Sequence, residues 1–356
     1  MAAPWRGVIQ EYRDRLPVTD ATPVVTLGEG GTPLVPSAWL SEETGCEVWI
    51  KVEGDNPTGS FKDRGMTVAV SKAAEQGVKV VVCASTGNTS ASAAVYAVRA
   101  GMLPVVLVPE GRIARGKLVQ AIVTGAKLVQ VQGNFDACLA VARGLTDRYP
   151  VVLVNSANKD GYRLAGQMTA AYEIVDVLGD APDLHVLPVG NAGNITAYWA
   201  GYQAYKENGP ATRVPRMWGY QAEGAAPIVH HAPVAQPETV ATAIRVGNPA
   251  RWEDADAALE ESNGRIEAVP DSEILRAQAH LASHDGIFVE PASAVGVAGL
   301  LRSHAAGVLD PGQRIAITVT GHGLKDVETA LDFAGDVPQL VVPPDAEAAA
   351  RLLDLG

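Results

Sequence analysis

Long apolar runs are missing from this chain. No stretch reaches the roughly 18 consecutive apolar residues that a membrane-crossing helix needs, so no membrane span is expected. Cysteine is scarce. Cys46, Cys83 and Cys138 are odd in number and far apart, which provides neither a disulfide framework nor a CxxC metal site. A reducing, cytoplasmic setting is the default for such usage, and no metal is expected. Positive charge is in deficit: 28 Lys and Arg stand against 40 Asp and Glu, a net charge of -12. That balance argues against nucleic acid or an anionic membrane surface as a partner, and leaves room for a local basic pocket. The opening MAAPWRGVIQEYRDRL has no apolar core of the kind a secretory signal carries. Walker A and GxGxxG patterns are absent as well, so a nucleotide is a poor guess for the ligand.

What is present is size and alternation. The chain has 356 residues, 47% of them hydrophobic, enough for one large domain or two medium ones. Residues 1–22 suggest a short helix, and PVVTLGEGGTPLVP a short strand followed by a Gly-rich turn. Short apolar runs at 47–53, 78–84, 103–109, 126–132 and 151–155 follow, with helix-length segments between the later ones. The pattern resumes at 184–190, 216–221, 287–291 and 314–320. Near-continuous apolar strands alternating with helices mean parallel strands covered on both faces. The expected class is α/β: two open, twisted, mostly parallel sheets covered by helices, with the ligand at the carboxyl ends of strands. The polar break near Asn155–Gly161 is the expected seam between the two blocks.

One stretch organises the chemistry: DNPTGSFKDRGM, residues 55–66. Its turn residues lead to Ser60 as an expected helix N-cap, with Asp63 three positions on. Lys62 then falls in the first helical turn, where the helix dipole disfavours a cation by about 0.3–1 kcal/mol. The misfit vanishes if the amine is tied as a Schiff base to an anionic cofactor. A solvated surface lysine that tolerates the small penalty is the other reading, and the stretch alone favours it.

Four strand ends carry further candidates. Ser85-Thr86-Gly87-Asn88-Thr89-Ser90 offers small polar groups at a helix N-terminus, suited to an anion such as a substrate carboxylate; an ordinary capped turn is the alternative. Gly190-Asn191-Ala192-Gly193-Asn194 could cradle a single phosphate at the next helix start, or serve tight packing alone. Thr320 places a hydroxyl at a strand end before the turn Gly321-His322-Gly323, where His322 is read as a turn residue. Asn155, Ser156, Asn158, Lys159 and Arg163 gather amides and cations, and an arginine there suits bidentate capture of an oxyanion. Arg112, Arg115 and Lys117 form a second basic group; surface solvation is the favoured reading for Arg112, Arg115 and Lys159.

Taken together these pieces resemble the fold-type II enzymes of pyridoxal 5'-phosphate and, within them, the threonine synthases. The resemblance rests on GGTPL (30–34), NPTGSFKDRGM (56–66), ASTGNTSAS (84–92), NSxN…R…GQ (155–167) and PVGNAGN (188–194). QAEGAAPI (221–228), TAIRVGNPA (242–250), VEPASA (289–294) and TGHGLKD (320–326) continue it, so it runs from about residue 25 to 332. It implies a large cofactor-binding domain of residues 1–54 and 156–356, and a smaller mobile one of 55–155. It implies Lys62 as the internal-aldimine lysine and the proton carrier at Cα and Cβ. Gly190, Asn191, Ala192, Gly193 and Asn194 would hold the cofactor phosphate, Asn88 the ring hydroxyl, and Thr320 the pyridine nitrogen. Ser85, Thr86 and Thr89 would bind the substrate carboxylate. Lys117, Asn155, Ser156 and Arg163 would bind the leaving phosphate of O-phospho-L-homoserine, and the enzyme would be a homodimer. A serine/threonine ammonia-lyase or a cysteine synthase would need no such phosphate group. A non-catalytic binding protein would need no Lys62.

Overall fold

A computed structural model describes residues 4–111, 115–155, 161–335 and 339–355. Among the described residues ten strands form two sheets: β1 (Leu34–Pro36), β2 (Glu47–Val52), β3 (Val80–Ala84), β4 (Leu103–Pro109), β5 (Lys127–Val131), β6 (Val151–Leu153), β7 (Leu184–Pro188), β8 (Arg216–Ala222), β9 (Arg265–Val269) and β10 (Arg314–Val319). The larger sheet has the order β1-β2-β10-β7-β8-β9 and the smaller β5-β4-β3-β6. Among these strands only β1 runs antiparallel to its neighbour; their other pairings are parallel. The expected class is therefore the observed one. No described helix is long and apolar enough to cross a membrane.

Three local expectations give way. The first strand lies after the glycine turn, not before it. Val25 instead donates its N–H to the Ser71 hydroxyl and accepts from Thr67, so that segment straps the helix Lys62–Glu75 and joins no sheet. Residues 287–291 form no strand: Val289 makes an isolated bridge to His322, and Pro291 starts the helix Pro291–Ala305. Proline is pre-organised for a first helical position and keeps the residue before it extended, which explains the switch. The strand RIEAV of β9 extends the larger sheet beyond the expected runs.

Both faces of the larger sheet are covered. One side packs Val186, Ile315, Ile317 and Val319 with Ala294, Val295, Val297 and Ala298 of the helix Pro291–Ala305. The other packs Leu187, Val189 and Ala316 with Tyr172, Ile174, Tyr198 and Tyr202 from the helices Tyr162–Leu178 and Gly193–Glu207. The lysine helix, Lys62–Glu75, belongs to both halves. Its apolar side, Met66, Ala69, Val70 and Ala73, packs with Val81 and Cys83 of β3 and with Tyr96.

Its polar side reaches the larger sheet through Arg64. That guanidinium contacts Glu53 at 2.6 and 2.7 Å and Glu173 at 2.6 and 2.7 Å. Lys51 of β2 completes the group with a 2.6 Å bond to Glu173. Two cations and two anions thus balance, all of them buried. Burial alone would raise the Glu173 carboxyl, but Arg64 and Lys51 hold it down to about 2. Removing one member leaves a buried charge uncompensated, which typically costs about 3–5 kcal/mol. Arg64→Ala is accordingly expected to lose about that much stability in urea unfolding, by the same reasoning. A loss below about 1 kcal/mol, the scale of an exposed ion pair, would contradict this account.

Candidate active site

The site lies where the carboxyl ends of the two sheets meet. Strand β10 pairs with β7 at Ile317↔Val186, so Thr320 and Val189, three residues further along each strand, leave the sheet side by side. The loop before Lys62 is fastened to this corner. Phe61 N–H donates to Thr320 O at 3.0 Å, His322 N–H to Gly59 O at 2.9 Å, and Ser60 bridges Gly321. Ser60 therefore has a bridging role and makes no cap, contrary to expectation: the helix starts at Lys62 behind Phe61 with no side-chain cap. Asp63 turns instead to Thr58 and Ser92, accepting from the Thr58 N–H at 2.7 Å and from the two hydroxyls at 2.6 Å each.

Lys62 stands as expected in the first helical turn. Burial pushes its amine down to about 7, Arg163 pushes the same way and Glu290 opposes them. The amine makes no hydrogen bond among the described residues and lies 4.0 Å from the centre of the Phe61 ring. A lysine that titrates near 7 has about half its amines neutral at that pH, which makes it a competent nucleophile and proton carrier and eases its conflict with the helix dipole.

Arg163 is brought beside the lysine helix because two helices touch backbone to backbone. A Cβ on Gly166 would sit 1.9 Å from Arg64 O, and one on Gly65 would sit 2.6 Å from Arg163 O. Only glycine permits that crossing. The guanidinium is buried and donates to Val154 O at 2.9 Å. Cys83, at the end of β3, completes this corner; burial pushes its thiol up to about 12 against the pull of Arg163 and Lys62.

Asn155 extends the smaller sheet with its side chain. Its Oδ1 accepts from Ala84 N–H and its Nδ2 donates to Ala84 O, both at 2.8 Å. One Nδ2 hydrogen is left for a ligand. Ser156, Asn158, Lys159 and Arg112 lie outside the described residues, as do the side chains of Arg115 and Lys117.

The loop after β3 supplies Ser85, Thr86, Asn88 and Thr89. Ser85 Oγ accepts from Gly87 N–H at 3.3 Å, while the hydroxyls of Thr86 and Thr89 have no partner among the described residues. Asn88 opens the helix Asn88–Arg99, and its Nδ2 donates to Glu290 at 2.9 and 3.2 Å.

The loop after β7 carries Gly190 to Asn194. Ala192 is left-handed at φ 64° and caps the helix Gly193–Glu207. The first N–H groups of a helix lack intrahelical acceptors and favour an anion. Asn194 adds a buried side chain whose Nδ2 and Oδ1 both lack a hydrogen bond among the described residues. A buried amide left unbonded costs about 1–3 kcal/mol, so the loop is built for a polar guest, and a phosphate fits it. Asn191 Oδ1 accepts from Ala250 N–H at 3.4 Å, tying the loop to its neighbour.

Thr320 is buried, its hydroxyl 2.9 Å from Ser293 Oγ, which also accepts from Thr320 and Gly321 N–H at 3.1 and 2.8 Å. Ser293, Glu290 and Cys83 were not singled out by sequence reasoning. Their signal was weak: VEPASA reads as an ordinary proline-started helix, and a lone cysteine inside an apolar strand reads as core.

Residues 25–321 match the family described as pyridoxal-phosphate dependent enzyme. Threonine synthase of Mycobacterium leprae is 56% identical over 354 residues, covering 99% of this chain and 97% of that protein. The chain belongs to the threonine synthase family. Threonine synthase of Methanocaldococcus jannaschii is 49% identical over 333 residues, 91% of this chain and 82% of its own. Among solved structures, threonine deaminase isoform 2 from Solanum lycopersicum superposes with a TM-score of 0.75 at 21% identity. That match covers 94% of this chain and 91% of the other, and it bears on the fold alone. As in its family, the cofactor of this threonine synthase relative is pyridoxal 5'-phosphate. The loop Gly190–Asn194 and the Lys62 amine offer the two attachments such a cofactor needs: a phosphate cradle and a nucleophilic amine.

Proposed function

We propose that the chain is a threonine synthase converting O-phospho-L-homoserine and water to L-threonine and phosphate. The observation that carries this reading is a buried guanidinium, Arg163, on a helix that touches the lysine helix backbone to backbone at Gly65 and Gly166. An amino acid without a γ-phosphate, the substrate of an ammonia-lyase or a cysteine synthase, has no use for it.

Bound pyridoxal phosphate supplies an electron sink that acidifies the substrate's Cα and Cβ protons. Lys62 carries those protons, and an amine near neutrality can both take and return them. Gly190 to Asn194 hold the cofactor phosphate and Asn88 its ring hydroxyl. Ser85, Thr86 and Thr89 hold the substrate carboxylate at the start of the helix Asn88–Arg99. Asn155, Ser156, Arg163 and Lys117 receive the leaving phosphate. The smaller domain closes over the substrate, while the segment before Lys62 stays fastened to the larger sheet. The enzyme acts as a homodimer in the cytoplasm, a setting that suits its three buried free cysteines.

Thr320 faces the pyridine nitrogen in this scheme. A hydroxyl there leaves the nitrogen without a proton and moderates the sink, whereas a carboxylate would favour protonation. Thr320→Asp is expected to lower kcat about tenfold or more, which is about 1.4 kcal/mol on the barrier, and to change the product ratio. Unaltered kinetics in a folded variant would refute the placing.

The reading is tested by incubating the purified protein with O-phosphohomoserine, serine and threonine in parallel. Rapid phosphate release from the first, with little keto acid from the others, is expected. Keto-acid production that outpaces phosphate release would assign an ammonia-lyase. A protein with no visible absorbance to bleach with borohydride would be a binding protein.

A further inference from the structure

Glu290 stands in the middle of this site with no role in the scheme above. Its backbone precedes Pro291 and opens the helix Pro291–Ala305, yet its side chain makes no cap bond to that helix. The carboxylate crosses instead to Asn88, accepting from Nδ2 at 2.9 Å on Oε1 and 3.2 Å on Oε2. It is only 6% exposed. Room is kept for it: a Cβ on Gly321 would lie 2.5 Å from Oε1. Lys325, Lys62 and Asp326 are the charges that face it, and burial pushes the carboxyl up.

An asparagine amide has two unlike ends of almost the same shape. In its ionised form, which the Asn88 bond, Lys325 and Lys62 favour against burial, the carboxylate only accepts, and the amide then turns its N–H₂ toward Glu290. Oδ1 of Asn88 has no partner among the described residues and is the end left over. A lone asparagine beside a ligand hydroxyl could present either end. We infer that Glu290 is a positioning residue: it locks the Asn88 amide in one orientation and so fixes which end meets the ring hydroxyl of the cofactor. The inference rests on the reading of Asn88 as the partner of that hydroxyl.

Glu290→Gln tests it, because glutamine keeps the size and loses the constraint, having a donor end and an acceptor end of its own. In the holoenzyme, the visible absorption maximum, its pH titration, kcat and KM are read for Glu290→Gln, Asn88→Ala and the double variant. The expected result is a band moved in the same direction by both single changes. kcat should fall about tenfold in Glu290→Gln with KM within about twofold, and the double variant should lose no more than Asn88→Ala alone. Glu290→Asp, an acceptor only, should recover the wild-type band. If Asn88→Ala leaves the band where it was, the reading of Asn88 fails and takes the inference with it. If Asn88→Ala moves the band and Glu290→Gln does not, the inference alone is overturned. Additive losses in the double variant also overturn it, since a residue acting through Asn88 has nothing to act on once Asn88 is gone.

Discussion

Lys62→Ala is expected to reduce turnover by about a thousandfold or more, the range that a positioned proton carrier contributes. The visible band of the lysine-linked cofactor should disappear with it. The fold should survive. The amine makes no hydrogen bond among the described residues, so truncation orphans no buried partner, and alanine is a good residue for a first helical turn. Apo-protein melting near the wild-type midpoint is the control. Full activity in this variant would remove Lys62 from the chemistry.

Arg163→Ala is expected to be selective. A phosphate dianion taken out of water needs fixed charge and several donors, and a guanidinium supplies both. Truncating one partner of a desolvated charged pair costs about 2–5 kcal/mol. At 1.4 kcal/mol per factor of ten, kcat/KM on O-phosphohomoserine should drop roughly 30- to 4,000-fold. Any side activity on serine or threonine should fall much less. Arg163 also depresses the Lys62 amine, so that amine should titrate higher in the cofactor-free variant. Equal losses on both substrate classes would make Arg163 a strut for Val154 and the helix crossing at Gly166, and the phosphate site would have to be sought around Lys117.

The periodic part of this fold was legible from sequence. Runs such as 103–109 became β4 residue for residue, because a strand buried on both faces leaves an unbroken apolar signature. The place of Lys62 in a helix first turn was legible too. The rest was hidden for physical reasons. Ser60 and Asp63 resemble a capping pair locally, but Ser60 is recruited by Gly321 across the chain and Asp63 by Ser92 on another helix. The group around Arg64 joins positions 109 residues apart, which no local pattern announces. Asn155 was read as a ligand-facing amide; its use as an added rung beside Ala84 depends on where β6 stops relative to β3. Glu290 was invisible because its carboxylate leaves its own helix to meet another.

The central claim is that phosphate leaves the γ-carbon while water enters at the β-carbon of one and the same substrate. Phosphate and L-threonine should therefore be measured together, in a single time course on O-phospho-L-homoserine in isotopically labelled water. One threonine per phosphate, carrying one solvent oxygen in its hydroxyl, is the expected result. Phosphate released without threonine, or with a keto acid in its place, would contradict the account.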